Sequence, residues 1–326
     1  MIATAYAAAA RLRRGYYVGR PHLQRRLHRP VISVGNVAAG GRAKTPLASL
    51  VASRLRDLGE RPAILSRGYA RRDAADGVVV VRDPDGIRSD LDRAGDEPLM
   101  LARRLDGVAV LVSSSRYLAG RIAEHHFGCT VHVLDDGFQH FALHRDADLV
   151  VIAREDLENP RTLPIGRLRE PLDAASAADA LIALDDASTE TLAGDRPVWR
   201  ARRRQERATL ADGEIVEPSA GPALALAGIA DSKRFFSEAR ASGWTIAREL
   251  PFRDHHRYSR PDVDGIVRAA RGAGARLVLT TEKDLVRLLP FRPFALPVAY
   301  VPLTLEIERR DTFDAWLEAV VKGARR

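Results

Sequence analysis

Short apolar runs recur along the first two thirds of the chain: Val31-Ile32-Ser33-Val34, Ala63 to Leu65, Val78 to Val81, Val108 to Val112, Val131 to Leu134, Leu149 to Ile152 and Ala180 to Leu184. Between several of them, as in Lys44 to Leu58 and Tyr117 to His126, apolar positions return with the helical period. Continuous apolar strands alternating with helices predict an α/β fold, a parallel sheet covered on both faces. The pattern changes near residue 197. Pro197 to Glu217 reads as two extended arms around Asp212-Gly213, a hairpin signal, and Pro218 to Pro222 is rich in breakers. Strands near Ala223 to Ile229 and Leu277 to Thr280 then open a second, smaller α/β unit. The predicted organisation is a leading segment 1–28, a larger α/β domain 29–200, a hairpin linker 201–220 and a smaller domain 221–326, with room for the C-terminal helix to return to the first.

Composition fits a packed globular chain, at 46% hydrophobic and 29% charged residues. The net charge of +8 suggests a nucleic-acid surface until its distribution is read. Arg11, Arg13, Arg14, Arg20, Arg25, Arg26 and Arg29 lie in the first 30 residues with no acidic residue among them. The rest of the chain is nearly balanced, so the basicity is local and no nucleic-acid partner is expected. The weakly apolar stretch before Arg11 is too short for a bilayer span, which needs roughly 20 residues. Its positive charge follows the apolar run, the reverse of a secretory signal. On a helix, Ile2, Ala5, Ala9, Leu12 and Tyr16 share one face beside the arginines. That arrangement suits a helix lying on an anionic membrane. An ordinary helix packed on the domain, or a mitochondrial targeting segment, fits the same residues. Cys129 is the single cysteine, which excludes an internal disulfide and agrees with a reducing cytoplasmic compartment.

Candidate chemistry begins after the first strand. Gly35-Asn36-Val37-Ala38-Ala39-Gly40-Gly41-Arg42-Ala43-Lys44-Thr45-Pro46 joins a strand to a helix through a glycine-rich loop. Backbone N–H groups of Gly40, Gly41, Arg42 and Ala43 and the helix N-terminus would cradle nucleotide phosphates. Lys44 would reach the β- and γ-phosphates, and Thr45 would offer its hydroxyl to Mg²⁺. The strict pattern has glycine at positions 38 and 43, both alanine here, so a plain strand-to-helix turn also fits. Val131 to Leu134 delivers Asp135 and Asp136 to the C-terminal end of a strand, where ligands of open sheets bind. The two are candidates for Mg²⁺ or for a turn before Gly137. In Gly95-Asp96-Glu97-Pro98, either carboxylate could cap a helix, or Asp96 could act as a general base. His22, His28, His125, His126, His132 and His144 share no ligand face, and no Cys/His spacing suggests zinc.

Together these residues resemble the tetraacyldisaccharide 4'-kinases. The likeness is carried by the phosphate loop, Leu65-Ser66-Arg67-Gly68-Tyr69, Gly95 to Pro98, and Leu134-Asp135-Asp136-Gly137-Phe138-Gln139-His140. Leu163 to Pro171, Phe252-Arg253-Asp254-His255-His256 and Thr280-Thr281-Glu282-Lys283-Asp284 extend it in the family's order. The resemblance implies two α/β/α domains joined by a two-stranded linker, with the active site in the cleft between them. It implies ATP and Mg²⁺ as cosubstrates and a tetraacylated glucosamine disaccharide 1-phosphate, a lipid A precursor, as acceptor. It also implies attachment to the cytoplasmic face of the bacterial inner membrane, with no obligate protein partner. Carried over by motif, Asp96 is the base, supported by His255 of the Asp254-His255 pair, and Lys44 faces the phosphates. Thr45, Asp135, Asp136 and Glu97 would serve Mg²⁺. Asn36, Tyr69, Arg116, His140, Arg169 and Glu170 are acceptor or phosphate contacts, Arg116 from outside the motifs. The family usually has glycine where Ala43 stands. A nucleotide-driven switch or metallochaperone, or a non-catalytic membrane-bound nucleotide sensor, would share the phosphate loop but phosphorylate no lipid.

Overall fold

In the computed structural model residues 2–40, 43–68, 71–73 and 77–325 are described. Two units pack separately, one formed by residues 1–203 and 305–326, the other by residues 204–304. The first opens with α1 (Ile2–Val18) and β1 (Val31–Asn36), followed by α2 (Lys44–Asp57) and β2 (Pro62–Ser66). Next come β3 (Val79–Asp83), β4 (Gly86–Ile87), α3 (Leu91–Ala94), α4 (Asp96–Arg104), β5 (Ala109–Val112) and α5 (Arg116–Phe127). β6 (Val131–Asp135), β7 (Ala147–Ala153), α6 (Arg154–Glu158), β8 (Ala180–Leu184), α7 (Glu190–Ala193) and β9 (Val198–Gln205) complete the outward run.

The second unit holds β10 (Thr209–Leu210), β11 (Ala223–Ala227), α8 (Ser232–Ala241), β12 (Ile246–Pro251), α9 (Arg260–Gly272), β13 (Leu277–Thr281), α10 (Glu282–Leu288) and β14 (Val298–Val301). β15 (Leu303–Ile307) and α11 (Arg310–Ala324) bring the chain back to the first.

Ten strands form the larger sheet in the order β15-β9-β8-β7-β1-β6-β2-β5-β3-β4. Every residue of β1, β2, β5, β6, β7 and β8 is buried, as a strand covered on both faces requires. The pairing from β5 through β9 across the centre is parallel. The Val78–Val81 run departs from the all-parallel expectation: β3 pairs antiparallel with β5 and carries β4 at the edge. β1 lies between β6 and β7, and its register sets Val34 opposite Asp135. The loops that follow β1 and β6 therefore start side by side at the C-terminal edge, which is what positions the site.

The hairpin read over 201–220 needs correction. β9 does not fold back on the residues after it; it pairs parallel with β8 and lies beside β15. Its alternate residues Trp199 and Ala201 are buried, Trp199 against Phe313 and Trp316 of α11, with its indole N–H donating to Thr312 at 2.9 Å. That apolar alternation favours a sheet position over a free arm. Asp212-Gly213 does make a turn, but a small one inside the second unit, where the Leu210 amide donates to Glu214. The strands that carry the chain out and back are β9 and β15.

In the second unit five strands run β10-β14-β13-β11-β12, parallel except for β10. One face packs on Phe235, Phe236 and Trp244, the other on Tyr258, Ile266 and Leu285.

Candidate functional site

β1 ends in Gly35 and Asn36, both packed under the loop that follows β6. A Cβ on Gly35 would stand 2.5 Å from that of Phe138, so only glycine lets the two segments approach so closely. The phosphate loop is then pinned from the side: the Ala39 amide donates to Arg167 at 2.7 Å, and the amides of Arg169 and Glu170 both donate to the Val37 carbonyl. Ala43 opens α2 in the left-handed region with φ of 55°. Gly41 and Arg42, two of the expected cradle residues, lie outside the described residues; Gly40, with φ of 97°, lies within them.

Lys44 and Thr45 occupy the first turn of α2. The Lys44 ammonium lies 3.3 Å from the Gly40 carbonyl, to which it donates, and 3.7 Å from Asp136. Burial pushes its pKa below the ordinary lysine value, while the Asp136 carboxylate pulls the other way. Asp136 sits at φ of 55° and receives two bonds from Arg169, at 2.8 and 2.6 Å. Burial alone would raise the Asp136 carboxyl; Arg169 and Lys44 overcome it and hold it below the usual range. Arg169 also donates to the Asn36 side-chain carbonyl at 2.7 Å. Lys44, Asp136, Arg169 and Asn36 thus form one connected array.

Deeper in the edge, buried Asp135 accepts from Thr45 and from Ser66, each at 3.5 Å. A hydroxyl and a carboxylate at the foot of a phosphate loop are hard oxygen donors of the kind Mg²⁺ takes, and that ion commonly uses one or two carboxylates with waters and phosphates. Among the described residues no group of three or more His, Cys, Asp or Glu side chains forms a cage. The Thr45 hydroxyl and the Asp135 carboxylate, all oxygen donors, fit Mg²⁺.

α4 packs on α2 and brings the acidic pair alongside. Asp96 is buried at its first residue and accepts from the Glu97 amide at 2.9 Å. Gly95 holds the capping position, with φ of 85° and no side-chain bond. Glu97 is near enough for its charge to act on Lys44. Arg116 starts α5 and is 5% exposed; burial first, then Arg67, pushes its pKa down to about 10. His140 is driven down to about 4 by burial and by Arg116, Arg145, Arg13 and Arg67. It is therefore neutral through the physiological range.

Of the expected site residues, the first unit brings together Asn36, Lys44, Thr45, Asp135, Asp136, Arg169 and Glu170, with Asp96, Glu97, Arg116 and His140 on the adjoining elements. Tyr69 lies outside the described residues. Asp254 and His255 belong to the second unit, where His255 has φ of 55° and its Nδ1 lies 3.4 Å from Arg287, a donor. Sequence reasoning gave no role to Ser66 or to Gln139, whose amide donates to the Asn36 backbone carbonyl at 2.8 Å and to Glu170 at 2.9 Å. Both stand inside motifs that were recognised, which was the available signal.

Comparison with known proteins agrees with this geometry. The family model for tetraacyldisaccharide-1-P 4'-kinases, LpxK, matches residues 1–322. A tetraacyldisaccharide 4'-kinase from Koribacter versatilis is 39% identical over 306 residues, 92% of this chain and 90% of that protein. One from Anaeromyxobacter dehalogenans strain 2CP-C is 41% identical over 303 residues, 87% and 79% of the respective chains. Among solved structures, LpxK from Aquifex aeolicus in complex with ATP matches with a TM-score of 0.79 at 29% identity, covering 98% of this chain and all of that one.

Proposed function

The chain belongs to the tetraacyldisaccharide-1-P 4'-kinase family, and on that premise we propose that it transfers the γ-phosphoryl group of ATP to the 4'-hydroxyl of a tetraacylated glucosamine disaccharide 1-phosphate. The observation that carries this reading is the array of Lys44, Asp136, Arg169 and Asn36 beside Thr45 and Asp135, gathered where β1 and β6 end.

Phosphoryl transfer asks mainly for positioning and for neutralising charge on the transferring group. Lys44, close beneath the loop, faces the β- and γ-phosphates, and an anionic triphosphate would favour its charged form. Thr45 and Asp135, with Asp136 and Glu97 beside them, would hold Mg²⁺, which when bound neutralises phosphate charge. Asp96 is the base for the acceptor hydroxyl: it is buried in the first turn of α4, where one of its carboxylate oxygens also accepts the Glu97 amide. Arg116, a buried guanidinium beside Arg67, suits a phosphate oxygen better than solvent. His140, Arg169 and Glu170 line the acceptor side, and the Asp254-His255 pair is assigned to the reaction by its motif alone.

The lipid acceptor explains the N-terminus. No helix among the described residues is long and apolar enough to cross a membrane. α1 buries none of its residues, and Ile2, Leu12, Tyr16 and Val18 are exposed next to the arginine cluster. We assign it to peripheral attachment at the cytoplasmic face of the inner membrane.

The test is direct. Incubation with γ-labelled ATP and the lipid disaccharide should move label into the lipid. Label released only as inorganic phosphate, and rising with a protein partner, would return the chain to the nucleotide-switch class. Tight ATP binding with neither product would make it a sensor.

A further inference from the structure

α1 fully buries none of its 17 residues; Ala3, Ala7, Ala10, Arg14 and Tyr17 are half-buried along one face, with Tyr17 stacked on Phe141. Polar contacts add to this shallow packing, and they are unequal. Arg11 meets Asp173 at 2.8 Å, but both side chains are more than half exposed, and such pairs contribute little. Arg14 grips Glu170 with two parallel bonds, 2.9 and 2.7 Å, with the side chains 14% and 5% exposed. Its guanidinium also lies over Phe138 at 4.2 Å and Phe141 at 4.9 Å. A planar fork, matched to a buried carboxylate and stacked on rings, is a joint that only arginine makes.

What lies behind the joint gives it a consequence. The Glu170 oxygen that takes the shorter Arg14 bond also accepts from Gln139 at 2.9 Å, and the same Gln139 nitrogen donates to the Asn36 backbone carbonyl. The neighbouring residue, Arg169, holds Asp136 and the Asn36 side chain. Three buried atoms of this network, Asn36 Nδ2, Gln139 Oε1 and Arg169 Nε, have no hydrogen-bond partner among the described residues. A network assembled with spare donors and an acceptor is one prepared for a ligand.

We infer that Arg14 is a positioning residue for phosphoryl transfer: through Glu170 and Gln139 it fixes the Asn36 backbone, and by engaging Glu170 it leaves Arg169 to hold the Asn36 and Asp136 side chains, so that α1 is mechanically part of the phosphate site. This rests on reading the Asn36–Asp136 edge as that site. With Arg14 gone, Glu170 is left as a buried carboxylate without its main countercharge. It then competes with Asp136 for Arg169, and the array beside Lys44 loses its single geometry.

The experiment uses full-length protein and acceptor dispersed in detergent, which removes membrane capture from the measurement. Arg14→Met should lower kcat by about 10- to 100-fold, the size expected of a misplaced reacting group. It should also weaken binding of a fluorescent ATP analogue several-fold, with partition onto phosphatidylglycerol vesicles nearly unchanged. Arg14→Lys, which keeps charge and most of the fold contacts but not the fork, should fall between, and Arg11→Ala should match the wild type in kcat and nucleotide affinity. If Arg14→Met matches Arg11→Ala, or its defect lies wholly in acceptor KM and vesicle binding, the inference is overturned. A melting temperature for each variant separates misfolding: should Arg14→Met unfold, a folded Arg14→Lys with normal kcat and nucleotide affinity also overturns it. If the wild type phosphorylates no lipid, the proposed function fails, and the nucleotide-affinity comparison still decides the role of Arg14.

Discussion

Ala43 holds φ of 55° at the entry to α2, a conformation that costs an L-residue about 1–2 kcal/mol relative to glycine. Ala43→Gly relieves that strain but adds freedom to the unfolded chain, about 0.4–1 kcal/mol in the opposite sense. We expect a nearly unchanged melting temperature and an ATP affinity equal to or tighter than wild type; a clear loss of affinity in calorimetry would mean the alanine methyl makes a needed contact. Asp96 allows a sharper test. General-base help is worth about 10²–10⁴-fold, so Asp96→Asn should lower kcat by that range with ATP affinity and melting temperature little changed. Full activity would send the search for a base to Asp135, Asp136 or His255. His140 offers a pH signature. Its folded pKa, about 4, lies below the unfolded value of 6.5, so the unfolded chain binds the extra proton between these limits. Stability from this group is full above pH 6.5 and is lost as pH falls toward 4. Urea titrations of His140→Gln should therefore show a flatter decline than wild type across that window, and an identical slope would refute the burial argument. The placement of Lys44 and Thr45 at the start of α2, and of Asp135 and Asp136 at the end of β6, was legible because each pair lies in one short local motif. Arg14, Ser66 and Gln139 were not, since their partners are 156, 69 and 31 residues away and only the fold brings them together.

At the scale of elements, the period of the apolar pattern located strands and helices well wherever burial is two-sided. β1, β2 and β5 to β8 are fully buried and read as largely apolar runs. The pattern misled at the sheet margins. β9, with arginines at positions 200, 202, 203 and 204, looks like a solvated arm, yet Trp199 and Ala201 alone suffice to seat it beside β8. The orientation of β3 was likewise unreadable, because an edge strand carries the same residues in either direction. α1 was legible as an amphipathic helix, but its polar joint to Glu170 was not. Deleting residues 2–18 should remove both functions at once. Protein should move from vesicle pellet to supernatant, lipid KM should rise more than ATP KM, and kcat in detergent should fall as it does for Arg14→Met. If the truncated protein still pellets with anionic vesicles in moderate salt, the attachment lies elsewhere, in Arg20, Arg25, Arg26 and Arg29.

For the whole molecule, the decisive feature is that one unit is continuous in sequence and the other is not. Residues 204–304 form a five-stranded sheet whose two apolar clusters draw only on residues inside that span. A chain of about 100 residues with both sheet faces covered is of ordinary domain size and should fold alone. The first unit is completed only by residues 305–326, which supply most of β15 and all of α11. Phe313, Leu317 and Val321 of α11 are almost wholly buried, and Phe313 covers Trp199. Full burial of three such side chains contributes roughly 1.5–3 kcal/mol each, together a large part of the 5–15 kcal/mol that stabilises a whole domain. A fragment ending at residue 203 should therefore aggregate or melt without a cooperative transition, whereas the excised 204–304 segment should melt cooperatively by circular dichroism. Because β9 and β15 are neighbours in the same sheet, replacing 204–304 by a short Gly-Ser turn should restore a folded first unit. A soluble, cooperatively melting 1–203 fragment would show that α11 is dispensable to the core, and a disordered 204–304 segment would show that the second unit depends on the first.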